Sequence, residues 1–254
     1  MGVVQGLTEF LPISSSGHLA LARHILGAGL AQDVSFEVAV HAGTFIAVII
    51  FFWSKIMGMF RDAIKGEGEG RAWILWLVIA TIPAGVIGLS IKDWVEELFN
   101  NLSLVAVSWL FTAAFLYAAS RWAKPRVSAG LMGWQRSLAI GIAQAVAILP
   151  GVSRSGATIS AGLLTGVERK GAVDFSFILS LPVVGGAILL MVPDWVHGTT
   201  PLGIPHLAGA VAALVSGYFA IAVMLRVVAR GRLGWFALYC ALLGTITLMH
   251  SLWT

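Results

Sequence analysis

The stretch Gln5–His18, QGLTEFLPISSSGH, decides the fold, because it places polar side chains in the middle of apolar sequence. It holds one carboxylate (Glu9), three consecutive serines and one imidazole (His18). A second polar stretch, Leu149–Thr158 (LPGVSRSGAT), has equally apolar surroundings. We predict that the two stretches meet and form one site. The alternative is a pair of polar loops between membrane helices.

Composition indicates a membrane protein. Of the 254 residues, 58% are hydrophobic and only 11% are charged, whereas a soluble domain carries about 25% charge. We therefore predict one integral-membrane domain over residues 1–254. The net charge of +4 does not indicate a nucleic-acid partner, because the basic residues cluster in short loops. A single cysteine, Cys240, excludes an intramolecular disulfide, and no cleavable signal peptide is expected.

Six stretches are apolar enough to span a bilayer, which takes about 20 residues for a core of about 30 Å. They are approximately Phe36–Trp53, Trp73–Ile91, Leu102–Tyr117, Phe175–Val192, His206–Leu225 and Trp235–Leu252.

Two further apolar regions are each interrupted by one of the polar stretches. Each half has about a dozen residues or fewer and, at about 1.5 Å per residue, reaches only about halfway across the core. Pro12 and Pro150 precede the breaks, where proline ends a helix. We predict two re-entrant helical hairpins with buried tips. Their arms are Met1–Leu11 with Leu19–Leu26, and Leu138–Leu149 with Ile159–Leu164.

The two halves of the chain resemble each other. A shift of 139 residues places Ser14–Gly17 on Ser153–Gly156. Internal repeats fix the architecture of a fold, and here each repeat is one hairpin plus three spans, over about residues 1–125 and 134–254. A hairpin returns to its own side and three is odd, so we predict an inverted second repeat.

The positive-inside rule gives an orientation for this topology. In the inverted-repeat arrangement only Arg23 and Lys92 fall on the outer side, and the outer loop Pro193–Pro205 has no basic residue. The first hairpin then opens outward and the second inward, and the two tips meet near the midplane. Thirteen basic residues fall on the cytoplasmic side: Lys55, Arg61, Lys65, Arg71, Arg121, Lys124, Arg126, Arg136, Arg169, Lys170, Arg226, Arg230 and Arg232.

Arg154 is the strongest signal for a site, because a guanidinium within the membrane costs several kcal/mol unless it is paired or hydrated. Ser153 and Ser155 flank it, Thr158 follows, and a helix begins there, whose N–H groups favour an anion. A guanidinium with hydroxyls and helix N–H groups is typical of a phosphate site. The alternative is a structural ion pair between Arg154 and Glu9.

The first stretch supplies complementary groups. Ser15 and His18 are one helical turn apart and form a candidate nucleophile–base pair; the alternative for His18 is a capping or packing role. Glu9 could hold a divalent cation, orient His18 or pair with Arg154. Gln5 lies one turn before it on the same helix face.

Other polar residues carry less weight. Glu37 and His41, one turn apart, are either supporting groups of the site or an internally satisfied pair. Asp174 stands at the start of the fourth span, where an acidic residue in the first turn is common because it interacts favourably with the helix dipole.

At these residues the sequence resembles the undecaprenyl-pyrophosphate phosphatase family, also called the bacitracin-resistance family. Gln5–Glu9 is similar to its [Glu/Gln]-x-x-x-Glu motif and Leu11–His18 to its LPxSSxGH motif. Pro150–Thr158 is similar to its PGxSRSxxT motif, and the resemblance covers essentially the whole chain.

The resemblance implies a phosphoric anhydride hydrolase of the bacterial inner membrane with a site open to the periplasm. It would convert the C55 carrier diphosphate to undecaprenyl phosphate and inorganic phosphate, which serves peptidoglycan synthesis, cell-wall biogenesis and cell shape and confers bacitracin resistance. Mg²⁺ or Ca²⁺ is the implied cofactor.

The resemblance also assigns roles by motif position. The essential set would be Glu9, Ser15, His18 and Arg154. The groups around the phosphates would be Ser14, Ser16, Ser153, Ser155 and Thr158, and the metal ligands would be Glu9 and Gln5.

The sequence departs from the family pattern in two places. It begins almost on the first motif, so we expect a misassigned or trimmed start and a less firmly anchored first half-helix. Gln5 stands where many relatives have Glu, which removes one possible carboxylate ligand for a metal.

The expected partners are undecaprenyl diphosphate and membrane lipids, with a homodimer as an assembly to test and no nucleic acid. The rival functions are a flippase or transporter for a phosphorylated polyprenyl lipid, whose architecture also uses inverted repeats, and a pyrophosphatase with a soluble substrate.

Overall fold

The computed structural model describes residues 1–26, 34–66, 68–196 and 203–253. Ten α-helices and one short 3₁₀ turn, Ala129–Leu131, make up its regular structure over these residues. The helices are α1 (Gly2–Phe10), α2 (Ser15–Leu26), α3 (Val34–Lys65), α4 (Gly70–Asn100), α5 (Leu102–Trp122), α6 (Gly133–Val146), α7 (Arg154–Leu164), α8 (Arg169–Val196), α9 (Ile204–Ala229) and α10 (Gly234–Trp253).

Six helices of the described chain are long and apolar enough to cross a membrane. The protein is therefore an all-α, multi-pass membrane protein, as the composition and the apolar stretches predict. The six segments are Ser35–Lys65, Gly70–Ile91, Leu102–Trp122, Arg169–Leu189, Ile204–Ala229 and Gly234–Trp253.

The helix α3 is longer than the predicted span. It continues to Lys65 and ends before Gly66, whose φ of 75° is left-handed. No proline interrupts it, so nothing in the sequence stops the helix at the membrane boundary. The basic residues Lys55, Arg61 and Lys65 therefore lie on the helix rather than in a loop, which corrects the sequence interpretation.

The two predicted breaks are confirmed. The arms of the hairpins, α1 with α2 and α6 with α7, have 9, 12, 14 and 11 residues. At about 1.5 Å per residue none of them is long enough to cross a core of about 30 Å. Pro12 and Pro150 lie in the turns that separate the arms.

The order of elements repeats, since a broken helix pair followed by three long helices occurs twice. The packing repeats in part as well: α1 packs against α9, and α6 packs against α4, which is the corresponding pair. A Cβ on Gly2 would overlap the backbone of Gly209, and one on Gly141, which lies 139 residues after Gly2, would overlap the backbone of Ala80. The inversion of the second half relative to the first stays a prediction.

The helix α1 is closely packed, contrary to the expected weak anchoring. A Cβ on Gly6 would overlap Ser216 and the Ala213 carbonyl of α9. At the other end of α1, Phe10 is fully buried, with an edge-to-face contact of 5.3 Å between its ring centroid and that of Phe177. This packing holds the neighbouring Glu9 in a defined position.

The helix α5 supports both hairpin tips. The indole N–H of Trp109 donates to the Ile13 carbonyl at 2.9 Å, and the Ser153 N–H donates to Thr112 Oγ1 at 3.1 Å. Trp109 and Thr112 are three residues apart and share a helix face. Gly17 is required next to Trp109, because a Cβ there would lie 2.7 Å from the indole ring.

Asp174 does not lie in the first turn of a helix, as the sequence interpretation had it, because α8 begins at Arg169. Its carboxylate accepts from Lys55 Nζ at 2.6 Å, and Lys55 also lies 4.1 Å from the ring centroid of Trp73. The pair joins α3 to α8 at the basic end of α3. The side chains of Arg23 and Lys92, and the loop at 197–202, lie outside the described residues.

Candidate active site

Both polar stretches begin a helix in the same way. Ser14 Oγ accepts from the Gly17 N–H at 3.1 Å, and Ser153 Oγ accepts from the Gly156 N–H at 3.1 Å. These are serine N-caps, which fix the first turn of a helix and leave other N–H groups of that turn free. Ser14 adopts a left-handed φ of 67°, a strained conformation that clusters at functional sites.

The two tips are in contact and brace each other. The Gly151 N–H in the second tip donates to Ser16 Oγ in the first at 3.4 Å. In return, Ser155 Oγ donates to the Leu11 carbonyl at 3.3 Å. The structure therefore brings the two stretches together, as the sequence predicts.

The carboxylate of Glu9 joins the tips electrostatically. Its Oε1 accepts from Arg154 Nη2 at 2.5 Å, and its Oε2 accepts from Ser15 Oγ at 2.7 Å and from Gln5 Nε2 at 3.0 Å. The side chains of Arg154 and Glu9 are only 16% and 10% exposed. Arg154 Nη1 also donates to the Ser176 carbonyl at 3.4 Å.

The ion pair between Arg154 and Glu9, which the sequence offered as an alternative to a phosphate site, is present. It does not exclude anion binding. A guanidinium has five N–H donors, and the bonds of Arg154 to the described residues use one on each Nη atom. Three donors remain, so Arg154 can keep its bond to Glu9 and still donate to two oxygens of a phosphate in bidentate fashion.

His18 is held by groups other than Ser15. Its Nδ1 lies 2.7 Å from the Ser14 carbonyl and its Nε2 lies 2.8 Å from the Tyr239 hydroxyl. The Trp109 ring packs edge-on at 5.4 Å between centroids. The candidate nucleophile–base pair is not hydrogen-bonded in this arrangement, because Ser15 Oγ donates to the Glu9 carboxylate instead.

Burial divides the predicted phosphate-binding hydroxyls into two groups. Four are almost fully buried and already bonded, including Thr158, which contacts the Ser176 hydroxyl at 2.6 Å and the Arg154 carbonyl at 2.8 Å. These four shape the tips: Ser14, Ser153, Ser155 and Thr158. Side chains with partial exposure can meet a ligand: Glu9, Ser15, Ser16, His18 and Arg154.

Several groups of the site carry no signal in the sequence. Tyr239 contacts His18 across 221 residues, and Ser176 contacts Arg154 across 22. His41 has features of both roles considered from the sequence. Its Nδ1 lies 2.8 Å from the backbone carbonyl of Glu37, one turn earlier on the same helix. Its Nε2 lies 4.0 Å from Glu9 Oε2, at the edge of the site.

The side chains of the site could hold a metal ion only if a bound phosphate and water supplied further ligands. The described residues contain no cluster of three or more His, Cys, Asp or Glu side chains that could hold a cation. Gln5 Oε1 is buried without a hydrogen-bond partner, next to Glu9 in the hydrogen-bonded pair. Glu9 and Gln5 offer oxygens of the kind Mg²⁺ and Ca²⁺ accept, with phosphate and water supplying the rest.

An apolar groove of about 550 Å³ opens between α3, α4 and α8. Ile178 of α8 lies in its wall, two residues from Ser176. The groove therefore reaches the level of Arg154 along α8. Other lining residues are Ile56, Phe60, Leu77, Ile82 and Leu181.

The chain is thus a multi-pass membrane protein whose broken helices bring a guanidinium and two helix N-termini together, an arrangement that suits an anion. The family model described as "Bacitracin resistance protein BacA" matches residues 1–246, and the chain belongs to this family.

Named relatives resemble the chain over nearly its full length. An undecaprenyl-diphosphatase of Syntrophotalea carbinolica is 41% identical over 247 residues, which are 96% of this chain and 94% of that protein. One of Parabacteroides distasonis is 38% identical over 257 residues, 99% and 96% of the two chains. One of Korarchaeum cryptofilum is 39% identical over 255 residues, 96% and 94% of the two chains.

The Glu9–Arg154 pair generates a stability prediction. We expect Glu9→Gln or Arg154→Met alone to cost about 3–5 kcal/mol, because each leaves one buried charge without its partner. The double variant should cost clearly less than the sum of the two. Thermal unfolding midpoints of the purified proteins in one detergent measure the coupling, with the exposed Arg61→Met as the control. Additive losses would show that the two charges do not interact.

Proposed function

We propose that the chain removes the terminal phosphate of undecaprenyl diphosphate, giving undecaprenyl phosphate and inorganic phosphate. The observation that carries this is the meeting of Arg154, with free donors, and the partly exposed Ser15 and His18 at two helix N-termini inside a membrane domain. The relatives' names agree with it. The activity would return the lipid carrier to cell-wall synthesis and confer bacitracin resistance.

Binding would rest on electrostatics. Phosphoryl transfer depends mainly on positioning and on neutralising the charge of the phosphate oxygens. The free donors of Arg154 and the N–H groups at the starts of α2 and α7 are suited to a diphosphate. The buried hydroxyls of the motifs would act indirectly, by holding those helix starts in place.

The chemical step has two forms that start from the same geometry. In one, Ser15 Oγ attacks the terminal phosphorus, the bond to the bridging oxygen breaks, and water later hydrolyses the phosphoserine. In the other, Ser15 positions a water that attacks directly. Glu9 accepts the Ser15 hydrogen bond and is the nearest group to take its proton, while His18 serves the water or the leaving phosphate.

A divalent cation, Mg²⁺ or Ca²⁺, would be held by Glu9 and Gln5 together with the diphosphate oxygens. When bound, such an ion neutralises phosphate charge. The unpartnered Gln5 Oε1 supports this assignment. The prenyl tail would lie in the apolar groove between α3, α4 and α8, which reaches the level of the site.

The protein would lie in the bacterial inner membrane with the basic end of α3 in the cytoplasm and the first hairpin opening to the periplasm. In this arrangement the second half is inverted relative to the first, and the site faces outward. The expected homodimer is a separate proposal, which light scattering of the detergent complex tests.

A flippase for the same lipid is the main rival, since a transporter also binds the anion between broken helices. A flippase needs no hydroxyl bonded to a carboxylate beside the guanidinium, and it releases no phosphate. A pyrophosphatase for soluble substrates is the second rival, and it would prefer inorganic pyrophosphate.

Phosphate release from undecaprenyl diphosphate in detergent tests the proposal. We expect turnover in the wild type and a loss of at least about 10²–10³-fold in Arg154→Ala, because it removes a charged donor to the transferring phosphate. Ser15→Ala should lose a comparable factor if the serine is the nucleophile. The matched controls are Arg61→Ala and Ser120→Ala, which change exposed residues of the same types.

The possible outcomes distinguish the phosphatase from its two rivals and one chemical mechanism from the other. Lipid binding without turnover in the wild type would favour the flippase, and faster turnover of inorganic pyrophosphate would favour the soluble-substrate enzyme. Turnover that survives Ser15→Ala but not Arg154→Ala would leave water as the nucleophile. A C15 diphosphate should show a higher KM than the C55 lipid, because it buries less apolar surface in the groove.

Metal removal is a separate prediction. We expect EDTA to abolish most turnover and Mg²⁺ or Ca²⁺ to restore it, because the protein's described groups neutralise the diphosphate only in part. Gln5→Glu should lower the metal concentration needed for half-maximal activity, since it adds a carboxylate ligand. Full activity in EDTA would contradict the cation.

The orientation is tested by cysteine labelling in a Cys240→Ala background. We expect Asn100→Cys, at the outer end of α4, to react with a membrane-impermeant maleimide in intact spheroplasts. Lys65→Cys, at the cytoplasmic end of α3, should react only after permeabilisation. Both residues are exposed. The reverse pattern would overturn the orientation.

A further inference from the structure

The His18 imidazole has a contact that neither motif supplies. The Tyr239 hydroxyl of α10 lies 2.8 Å from His18 Nε2, and the two rings are nearly parallel, at 5°. Tyr239 is 42% exposed, so the pair lies toward the surface of the helix bundle rather than in its core. The next residue, Cys240, is fully buried, and its thiol contacts the Pro12 carbonyl at 3.5 Å. The helix α10 is therefore fixed against the first tip at this position.

The hydrogen bonds of His18 determine which nitrogen carries the proton. A backbone carbonyl only accepts, so Nδ1, at 2.7 Å from the Ser14 carbonyl, must be the donor. A neutral imidazole has one N–H, so Nε2 is then the accepting nitrogen. The Tyr239 hydroxyl must donate to it.

We propose that Tyr239 is a positioning residue for the phosphatase reaction: its hydroxyl, bonded to Nε2, holds the His18 ring in place with the ring proton on Nδ1. This inference rests on the proposed function. A tyrosine hydroxyl suits the task because it both donates and accepts. It can donate to neutral His18 and accept from the imidazolium, so the ring keeps its place when it gains or loses a proton.

The contact differs from ordinary packing. The Trp109 ring and the Ser14 carbonyl already limit the movement of the imidazole, at 5.4 Å between centroids and 2.7 Å respectively. What Tyr239 adds is a directional bond to Nε2, the nitrogen that gains a proton when His18 becomes an imidazolium. Because that bond occupies the only lone pair of Nε2, a proton reaches or leaves this nitrogen through the Tyr239 hydroxyl, which both donates and accepts. Removal of its hydroxyl should therefore change the chemical step and leave substrate binding by Arg154 intact.

The variant Tyr239→Phe tests this, because it removes one oxygen and keeps the ring. We expect kcat for undecaprenyl diphosphate to fall roughly three- to tenfold, the value of one hydrogen bond, with KM changed less than about twofold. Tyr218→Phe is the matched control, since Tyr218 of α9 is also a partly exposed tyrosine, 39% exposed, that packs on Phe51. It should leave both constants unchanged.

A second measurement reads the imidazole directly. In protein with ¹⁵N-labelled histidine, the His18 signals, assigned by their loss in His18→Asn, should show a protonated Nδ1 and an accepting Nε2. Tyr239→Phe should move the Nε2 signal, and Tyr218→Phe should not. Unchanged kcat in an active Tyr239→Phe enzyme, or an unchanged Nε2 signal, overturns the inference. A fall in kcat matched by a lower unfolding midpoint, with the Nε2 signal unmoved, also overturns it, since the residue would then only stabilise the fold.

The experiments can contradict the proposed phosphatase function and the role of Tyr239 independently. If the wild type releases no phosphate, the proposed function falls, and the ring signals still decide whether Tyr239 fixes the state of His18. If the wild type is active and only the Tyr239 arms show no effect, the phosphatase stands without this positioning residue.

Discussion

The bond between Arg154 and Glu9 is the interaction on which the rest of the structure depends. It links a cation from one half of the chain to an anion from the other, across 145 residues, in surroundings that expose little of either side chain. Such a pair needs further hydrogen bonds to offset the cost of burying its two charges. Gln5, Ser15 and the Ser176 carbonyl supply those bonds. The broken helices bring these groups together.

Irregular backbone at membrane depth imposes a second constraint, because each unpaired N–H or C=O costs free energy there. The structure meets it with serine N-caps at the two helix starts and with Trp109 and Thr112 on one face of α5. Many hydroxyls of the motifs are therefore committed to building the tips. The few side chains that stay partly exposed are the ones free to act on a ligand.

The repeated order of elements yields two similar helix starts with different chemistry. The first carries a hydroxyl and an imidazole, Ser15 and His18, and the second carries the guanidinium of Arg154. Neither helix start forms the site by itself. An anion bound to Arg154 on the second tip is close to the Ser15 hydroxyl only because the first tip lies beside the second. Contact between Ser16 and Gly151 maintains this relation.

The sequence alone determined the membrane class, the six spans, the two helix breaks and the pairing of the polar stretches. The first three follow from apolar length and from proline, which act within a few residues along the chain. The pairing follows from polar side chains in apolar surroundings and from the repeat that relates the two stretches. The tertiary structure alone decided that Ser15 bonds to Glu9 rather than His18, and that Tyr239 faces His18 across 221 residues. Such contacts depend on how α5 and α10 pack against the tips, and packing between distant segments leaves no periodic or local pattern in a single sequence.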